Sequence, residues 1–236
     1  MTRKAILLSA SPSSAPIPGV HTDIASWQLF LSSNPGGAWS RQEIVHLNNC
    51  DREAALAAVR SAKDVDYSLI VFAGNGEILK GDLPWPEAQV LLSNGDSLPE
   101  RELNPRTPRC TIIFDCCRRT SDYDESAALT KDAAPLPAEQ DTVKLRALFD
   151  QSLTTAESGL VKIYAIEAAT AAAHEPSFSR QLLYQANAWA KQHHGALSLQ
   201  QGVSLAAEAT RKTNPLQKPE YQGGRRLHHF PLAVSL

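Results

Sequence analysis

The chain has no excess of charge, no long apolar run and no paired cysteine motif, and each lack removes a class of function. Among 236 residues, 23 Lys and Arg stand against 25 Asp and Glu, a formal net charge of -2. A balance so near neutrality gives no electrostatic footprint for nucleic acid or for a membrane surface, so neither is an expected partner. The longest basic cluster, Arg225-Arg226 with His228 and His229, is short and reads as a solvated loop. The apolar run after Met1-Thr2-Arg3-Lys4 covers only Ala5 to Leu8, too short for a membrane span or for the apolar part of a secretory signal. The four cysteines, Cys50, Cys110, Cys116 and Cys117, include no C-x-x-C pair to hold zinc, and a vicinal pair makes a poor structural disulfide. These features predict a cytoplasmic, reduced protein with a thiol free to react, no cofactor and no metal. With no internal repeat or low-complexity tract, the length suits one domain over 1–236.

What is present is an alternation of strands and helices. Lys4–Ser9 and Glu43-Ile44-Val45-His46-Leu47 read as short strands. Between them, Asp23–Leu31 carries Ile24, Trp27, Leu29, Phe30 and Leu31 at helical spacing, ending at Asn34-Pro35-Gly36-Gly37. Asp51 is a good N-cap for a helix over Arg52–Lys63 with Leu56 and Val59 inward. Tyr67–Ala73, bounded by Gly74 and Gly76, and Thr111–Phe114, closing on Asp115, are continuous apolar runs of strand length. Continuous apolarity predicts strands covered on both faces, as in a parallel sheet between helices. Val161–Glu167 is a further strand, Ser179–His193 and Leu199–Lys212 are helices, and Phe230–Val234 is a last edge strand. The fold class is therefore α/β, a three-layer sandwich around a mostly parallel sheet. The irregular stretch from Arg118 to Asp141 is the longest loop, a length that in compact domains usually serves function or is disordered.

Two strand ends carry the chemistry: Phe72-Ala73-Gly74-Asn75-Gly76-Glu77 and Phe114-Asp115-Cys116-Cys117-Arg118. In open parallel sheets active sites gather at the carboxyl ends of the strands. A thiol there, facing a residue from the neighbouring strand end, is how cysteine peptidases set nucleophile against base. The competing reading of Cys117 is a small buried hydrophobe. That of Asp23 is a helix N-cap, and that of Asp115 is a cap for a neighbouring loop. Glu167, His174 and Glu175 near another strand end read as solvated loop, and His193-His194 as cations at a helix end.

An apolar strand ending in Ala-Gly-Asn-Gly, then a second ending in Asp-Cys-Cys, resembles the caspase, metacaspase and paracaspase peptidases, where the first motif is Ser/Ala-Gly-His-Gly and the second Asp-x-Cys. Pro18-Gly19-Val20 before Asp23, Asp66-Tyr67, Val161–Glu167 and Phe178-Ser179-Arg180-Gln181-Leu182-Leu183 extend the likeness over most of the chain. The resemblance implies a caspase-like fold and a cysteine endopeptidase acting on proteins. It puts Cys117 on the nucleophile, Asn75 on the general base, and the backbone N–H groups of Gly76 and Cys117 on the oxyanion hole. Asp115 and Asp23 fall on an acidic substrate pocket that favours Arg or Lys at the cleaved position. The resemblance also implies control by an activating subunit or a small-molecule signal, and permits an effector role in bacterial defence or cell death. Self-processing in the Arg118–Asp141 loop, at Arg118, Arg119 or Lys131, is a further expectation. Some relatives need calcium, but Asp122, Asp124 and Glu125 match no calcium loop, so no metal is assigned.

The departure is Asn75. An amide cannot take a thiol proton or deliver it to a leaving amine at neutral pH, as imidazole does. Three accounts compete: an inactivating substitution, a natural pseudo-peptidase acting as an interaction or sensor module, or a displaced histidine, His21 or His174, acting in its place.

Overall fold

Strand residues that are apolar without alternation must meet packing on both sides, and here they do. The computed structural model describes residues 1–12, 16–17, 19–79, 87–117, 139–165, 178–213, 215 and 217–236, without the side chains at 78, 79, 87, 117, 139 and 213. The strands are β1 (Arg3–Ser9), β2 (Ile44–Asn48), β3 (Tyr67–Leu79), β4 (Glu87–Leu91), β5 (Ser97–Pro99), β6 (Arg109–Cys117), β7 (Gly159–Tyr164), β8 (Gly195–Ser198), β9 (Glu220–Gln222) and β10 (Pro231–Ser235). The helices are α1 (Val20–Ser32), α2 (Arg52–Arg60), α3 (Glu139–Thr155), α4 (Phe178–Ala190) and α5 (Leu199–Thr213).

Among the described residues the main sheet runs β2-β1-β3-β6-β7-β9, parallel except for β9, with β4 and β5 added antiparallel beyond the end of β3. Ala5 and Leu7 of β1, Leu69 and Val71 of β3 and Ile163 of β7 face a core shared with α1, α3, α4 and α5. Their neighbours Ile6, Leu8, Ile70, Phe72 and Ile112 face a second core closed by α2, Val90, Leu98 and Leu103. This is the expected three-layer α/β sandwich. Each such side chain removed from water contributes about 1.5–3 kcal/mol, which is why both faces need cover. Thr111, the polar residue inside the β6 run, is fully buried and accepts a hydrogen bond from the Tyr67 hydroxyl (3.0 Å).

Several boundaries differ from expectation. Helix α1 starts at Val20, behind Gly19 at φ 84°, so Asp23 lies inside the first turn and is not the N-cap. Asp51 does cap α2, accepting from Ala54 N–H, but α2 ends at Arg60. The tail is not an edge of the main sheet: β10 pairs with β8 in a separate two-stranded sheet, its Leu232, Ala233 and Val234 buried in the helix-side core. The short, polar β9 lies at the edge of the main sheet instead, beside β7.

Strand β3 passes through Gly74 and Gly76 rather than stopping there. A Cβ at Gly74 would sit 2.7 Å from the Ala10 carbonyl oxygen and 2.9 Å from the Phe72 ring. The carbonyl belongs to backbone that continues the β1–β3 pairing through Ala10 N–H to Ala73 O (3.0 Å), so it cannot move away cheaply. Gly74→Ala is expected to cost about 2 kcal/mol by overpacking, read as a lowered urea midpoint at unchanged slope.

Candidate active site

The register of β3 on β6 decides what the two strand ends present. It runs unbroken from Tyr67 opposite Arg109 to Ala73 opposite Asp115, Gly74 opposite Cys116 and Asn75 opposite Cys117. The residues set apart by sequence motif therefore lie side by side at the carboxyl end of the sheet. Asn75 is 6% exposed. The side chain of Cys117 and the chain after it, including Arg118, Arg119, Asp122, Asp124, Glu125 and Lys131, lie outside the described residues.

Gly76 is expected in a loop leaving the sheet, but it continues β3 and stands opposite Val90 of β4. The missing side chain permits this: a Cβ there would lie 3.1 Å from both Cβ and Sγ of Cys116. Cys116 thus turns to the α2 side, half-buried against the second core near the stacked rings of Phe114 and Tyr164 (5.1 Å). Asp115, one residue back, turns to the opposite side, toward α1 and α4.

There the structure joins Asp23 and Asp115. Both are buried, 6% and 5% exposed, and between them stands Arg180 from the first turn of α4, 8% exposed. Arg180 Nε–H donates to Asp23 Oδ1 (3.0 Å). The Ser179 N–H donates to Asp115 Oδ2 (3.0 Å), and the Ser179 hydroxyl also bonds that carboxylate while accepting from Trp27 Nε1–H (2.8 Å). Asp115 is accordingly an acceptor at the N-terminal end of α4, where orphan N–H groups favour a carboxylate.

Burial pushes the Asp115 carboxyl up to about 7, and the charge of Asp23 adds to the rise, against the Ser179 hydrogen bonds and Arg180. The folded protein then keeps a proton that the unfolded chain has already released in mildly acidic solution. Stability carried by this group is present below the ordinary carboxylate range and is lost as pH rises through about 7. Relative to Asp115→Asn, which does not titrate, the natural chain is expected to lose about 2 kcal/mol between pH 5 and pH 7. Urea titrations of both proteins at the two pH values check it. A parallel pH response would remove the argument.

The remaining expectations separate. His21 is hydrogen-bonded through Nδ1 to Ser9 Oγ (2.8 Å) at the end of β1, on the far side of β3 from β6. His174, Glu167 and Glu175 lie outside the described residues. His193 stacks on Trp189 beyond the end of α4. Among the described residues no cluster of His, Cys, Asp or Glu is built to hold a metal, and no helix is long and apolar enough to cross a membrane. A cavity of about 480 Å³ opens between α3, β8, the start of α5 and residues 227–231, and none of the predicted site residues lines it. The member of this buried cluster missed from sequence is Arg180. Its signal was available: two carboxylates assigned to one buried pocket require a cation, and α4 carries one in its first turn.

No family model matches the chain, and no curated protein matches it. Solved structures do. Protein GSU0716 from Geobacter sulfurreducens superposes with a TM-score of 0.61 over 100% of both chains, at 15% identity. The Drosophila initiator caspase Dronc superposes with a TM-score of 0.58 over 99% of this chain and 82% of its own, at 11% identity. At such identities the likeness carries the fold alone. The chain has the caspase-like fold.

Proposed function

We propose that the chain is a caspase-like cysteine endopeptidase that cleaves proteins after a basic residue. Cys117 is the nucleophile, Asn75 stands where the base belongs, and the N–H groups of Gly76 and Cys117 are the oxyanion donors. The observation that carries this reading is the register pairing Asn75 with Cys117 at the carboxyl end of a caspase-like sheet. Asp115 supports the basic preference. Burial beside Asp23 makes its negative charge costly, and the ammonium or guanidinium of a bound Lys or Arg would relieve that cost. An activating subunit or small-molecule signal, and an effector role in bacterial defence or cell death, belong to the same proposal.

A second reading has its own support. Asn75 leaves the site without a general base, which suits a silent interaction or sensor module of the same fold. Cleavage of Arg-, Lys- and Asp-reporter peptides by the natural chain, by Asn75→His and by the double variant Asn75→His with Cys117→Ala separates the two. Cleavage gained in the single variant and lost in the double variant supports the peptidase. No gain, with partner binding kept, supports the silent module.

A further inference from the structure

The cavity beside β8 lies apart from the candidate site. Its α3 wall, from Leu148 to Thr155, runs out beside Arg109 at the start of β6, whose guanidinium donates to the Thr154 and Ala156 carbonyls (both 3.2 Å). It is therefore toward the amino end of the sheet, and what it binds is independent of whether Cys117 cleaves. Its volume of about 480 Å³ is that of a ligand site.

Strand β8 borders this cavity with an unpaired edge. Val234 is in register with Ala196, yet its N–H donates away from β8, to the Pro35 carbonyl (2.8 Å). The two residues are thus an antiparallel pair that exchanges no hydrogen bonds, and the N–H and C=O of Ala196 point away from β10. Among the described residues neither group has a protein partner. Ala196 is exposed and lines the cavity. A strand residue offering both groups outward is a template for a further strand.

The surrounding walls have matching chemistry. The side-chain amides of Gln151 on α3 and Gln200 on α5 have no partner among the described residues, and each offers a donor and an acceptor, as a peptide group does. Gln201 keeps its NH2 group for an occupant, because only its Oε1 is engaged, by Ser198 Oγ–H (3.1 Å) and N–H (3.3 Å). Among the described residues no Asp, Glu, Lys or Arg lines the cavity. Glu157 and Arg226 stand beside it with their charges turned to backbone. Glu157 accepts from the Leu227 and His228 N–H groups (3.0 and 3.1 Å), and Arg226 donates to the Gly223 and Glu157 carbonyls. A charged occupant would find no counter-ion in these walls. Leu227, 88% exposed at the rim, offers an apolar contact.

We propose that the free edge of β8 and the cavity it borders take up an extended, uncharged peptide segment of a partner protein by strand addition. The segment's main chain bonds Ala196 N–H and C=O, the glutamine amides bond its outer peptide groups, and an aliphatic side chain rests on Leu227.

The probe is a fluorescein-labelled peptide of alternating Thr and Val, six residues long, titrated by anisotropy against the natural chain. Two relatives are N-methylated on every second residue, one on the valines and one on the threonines, and two more carry Glu or Lys at a central position. Saturable binding is expected, and only one of the two methylated peptides should weaken, by about fivefold or more, because alternate N–H groups face the same edge. Ala196→Pro removes an N–H that β10 does not use, as proline can on an edge strand, and should weaken the parent peptide to a similar extent. Gln151→Ala combined with Gln200→Ala, both exposed, should do so by about threefold or more. Thermal melts show that each variant is folded. Absence of binding overturns the proposal, as does equal binding by both methylated peptides, whatever the variants do. Tighter binding of the Glu or Lys peptide than of the parent overturns the uncharged occupant. Binding unmoved in a folded Ala196→Pro places the peptide elsewhere and overturns the site.

Discussion

Replacing Asn75 by His is expected to raise Cys117-dependent cleavage of basic reporter peptides by about 10²–10⁴-fold, the usual worth of general acid–base help. Asn75 already stands in register with Cys117 and is buried at the strand end, so the new ring starts from the right backbone position. Without it a thiol of ordinary pKa is only a few per cent thiolate at neutral pH, and nothing delivers a proton to the leaving amine. The gain should appear mainly in kcat, because the substrate contacts proposed for Asp115 and Asp23 are untouched. It should grow as pH rises through the imidazole range near 6.5, where the ring becomes an acceptor. Cys117→Ala in the same background should return the rate to that of the natural chain. A gain that survives Cys117→Ala would sink the assignment of the nucleophile. Cleavage by the natural chain at a comparable rate would show that another group already serves as base.

The parts of this fold that are legible in the sequence are those whose chemistry is local. Tyr67–Ala73 and Thr111–Phe114 announce themselves because a doubly covered strand leaves no polar alternation, and both lie within the central strands β3 and β6. Strands β4, β5 and β9 escape notice because they are short and mixed in polarity, and they gain strand geometry only from a neighbour's free edge. The extension of β3 through Gly74 and Gly76 is hidden for a different reason. Glycines read as breaks, yet here they allow close approach to Ala10 and Cys116.

The candidate site divides in the same way. Asn75 and Cys117 are found from short motifs at two strand ends, and a parallel register joins them. Arg180 has no motif of its own and meets Asp23 across 157 residues of sequence. What betrays it is a charge argument: Asp23 and Asp115 in one buried place raise each other's cost until a cation or a proton relieves them. The structure shows both remedies, the guanidinium on Asp23 and the tendency of Asp115 to hold its proton. A buried cluster balanced in this way is sensitive to one added charge, and the basic side chain of the proposed substrate would bring one.

The amino end of the same sheet is held by a second buried arginine, and its removal is expected to be the largest single loss of stability. Arg3 has a fully buried side chain in β1. Its guanidinium donates to Asp150 Oδ1 (3.1 Å) and to the Gly37 carbonyl (2.6 Å), and lies 3.6 Å from Glu43. It also stacks over the rings of Trp39 (4.5 Å) and Phe149 (5.2 Å). The carbonyls it satisfies belong to a turn in which Gly37 and Ala38 both have positive φ, 93° and 50°. For Ala38 that conformation is itself unfavourable by about 1–2 kcal/mol, so the turn depends on its partners. Burial lowers the Arg3 pKa from its ordinary value, with Asp150 and Glu43 opposing and Arg146 adding to the fall. Arg3→Met keeps much of the volume and contact with the rings but leaves Asp150 and the Gly37 carbonyl without their donor. Removing one partner from a buried charged network costs about 3–5 kcal/mol. For a chain of this size that corresponds to a fall in Tm of roughly 6–20 °C. Arg3→Lys, which keeps the charge and loses the fork and the stacking, should fall between. Glu43 faces Arg3 as well as Arg146 (2.5 Å), so Glu43→Gln should cost less in the Arg3→Met background than in the natural chain. Thermal melts of these variants and the natural chain measure this, and a loss below about 1 kcal/mol for Arg3→Met would mean that the network contributes no more than an exposed ion pair.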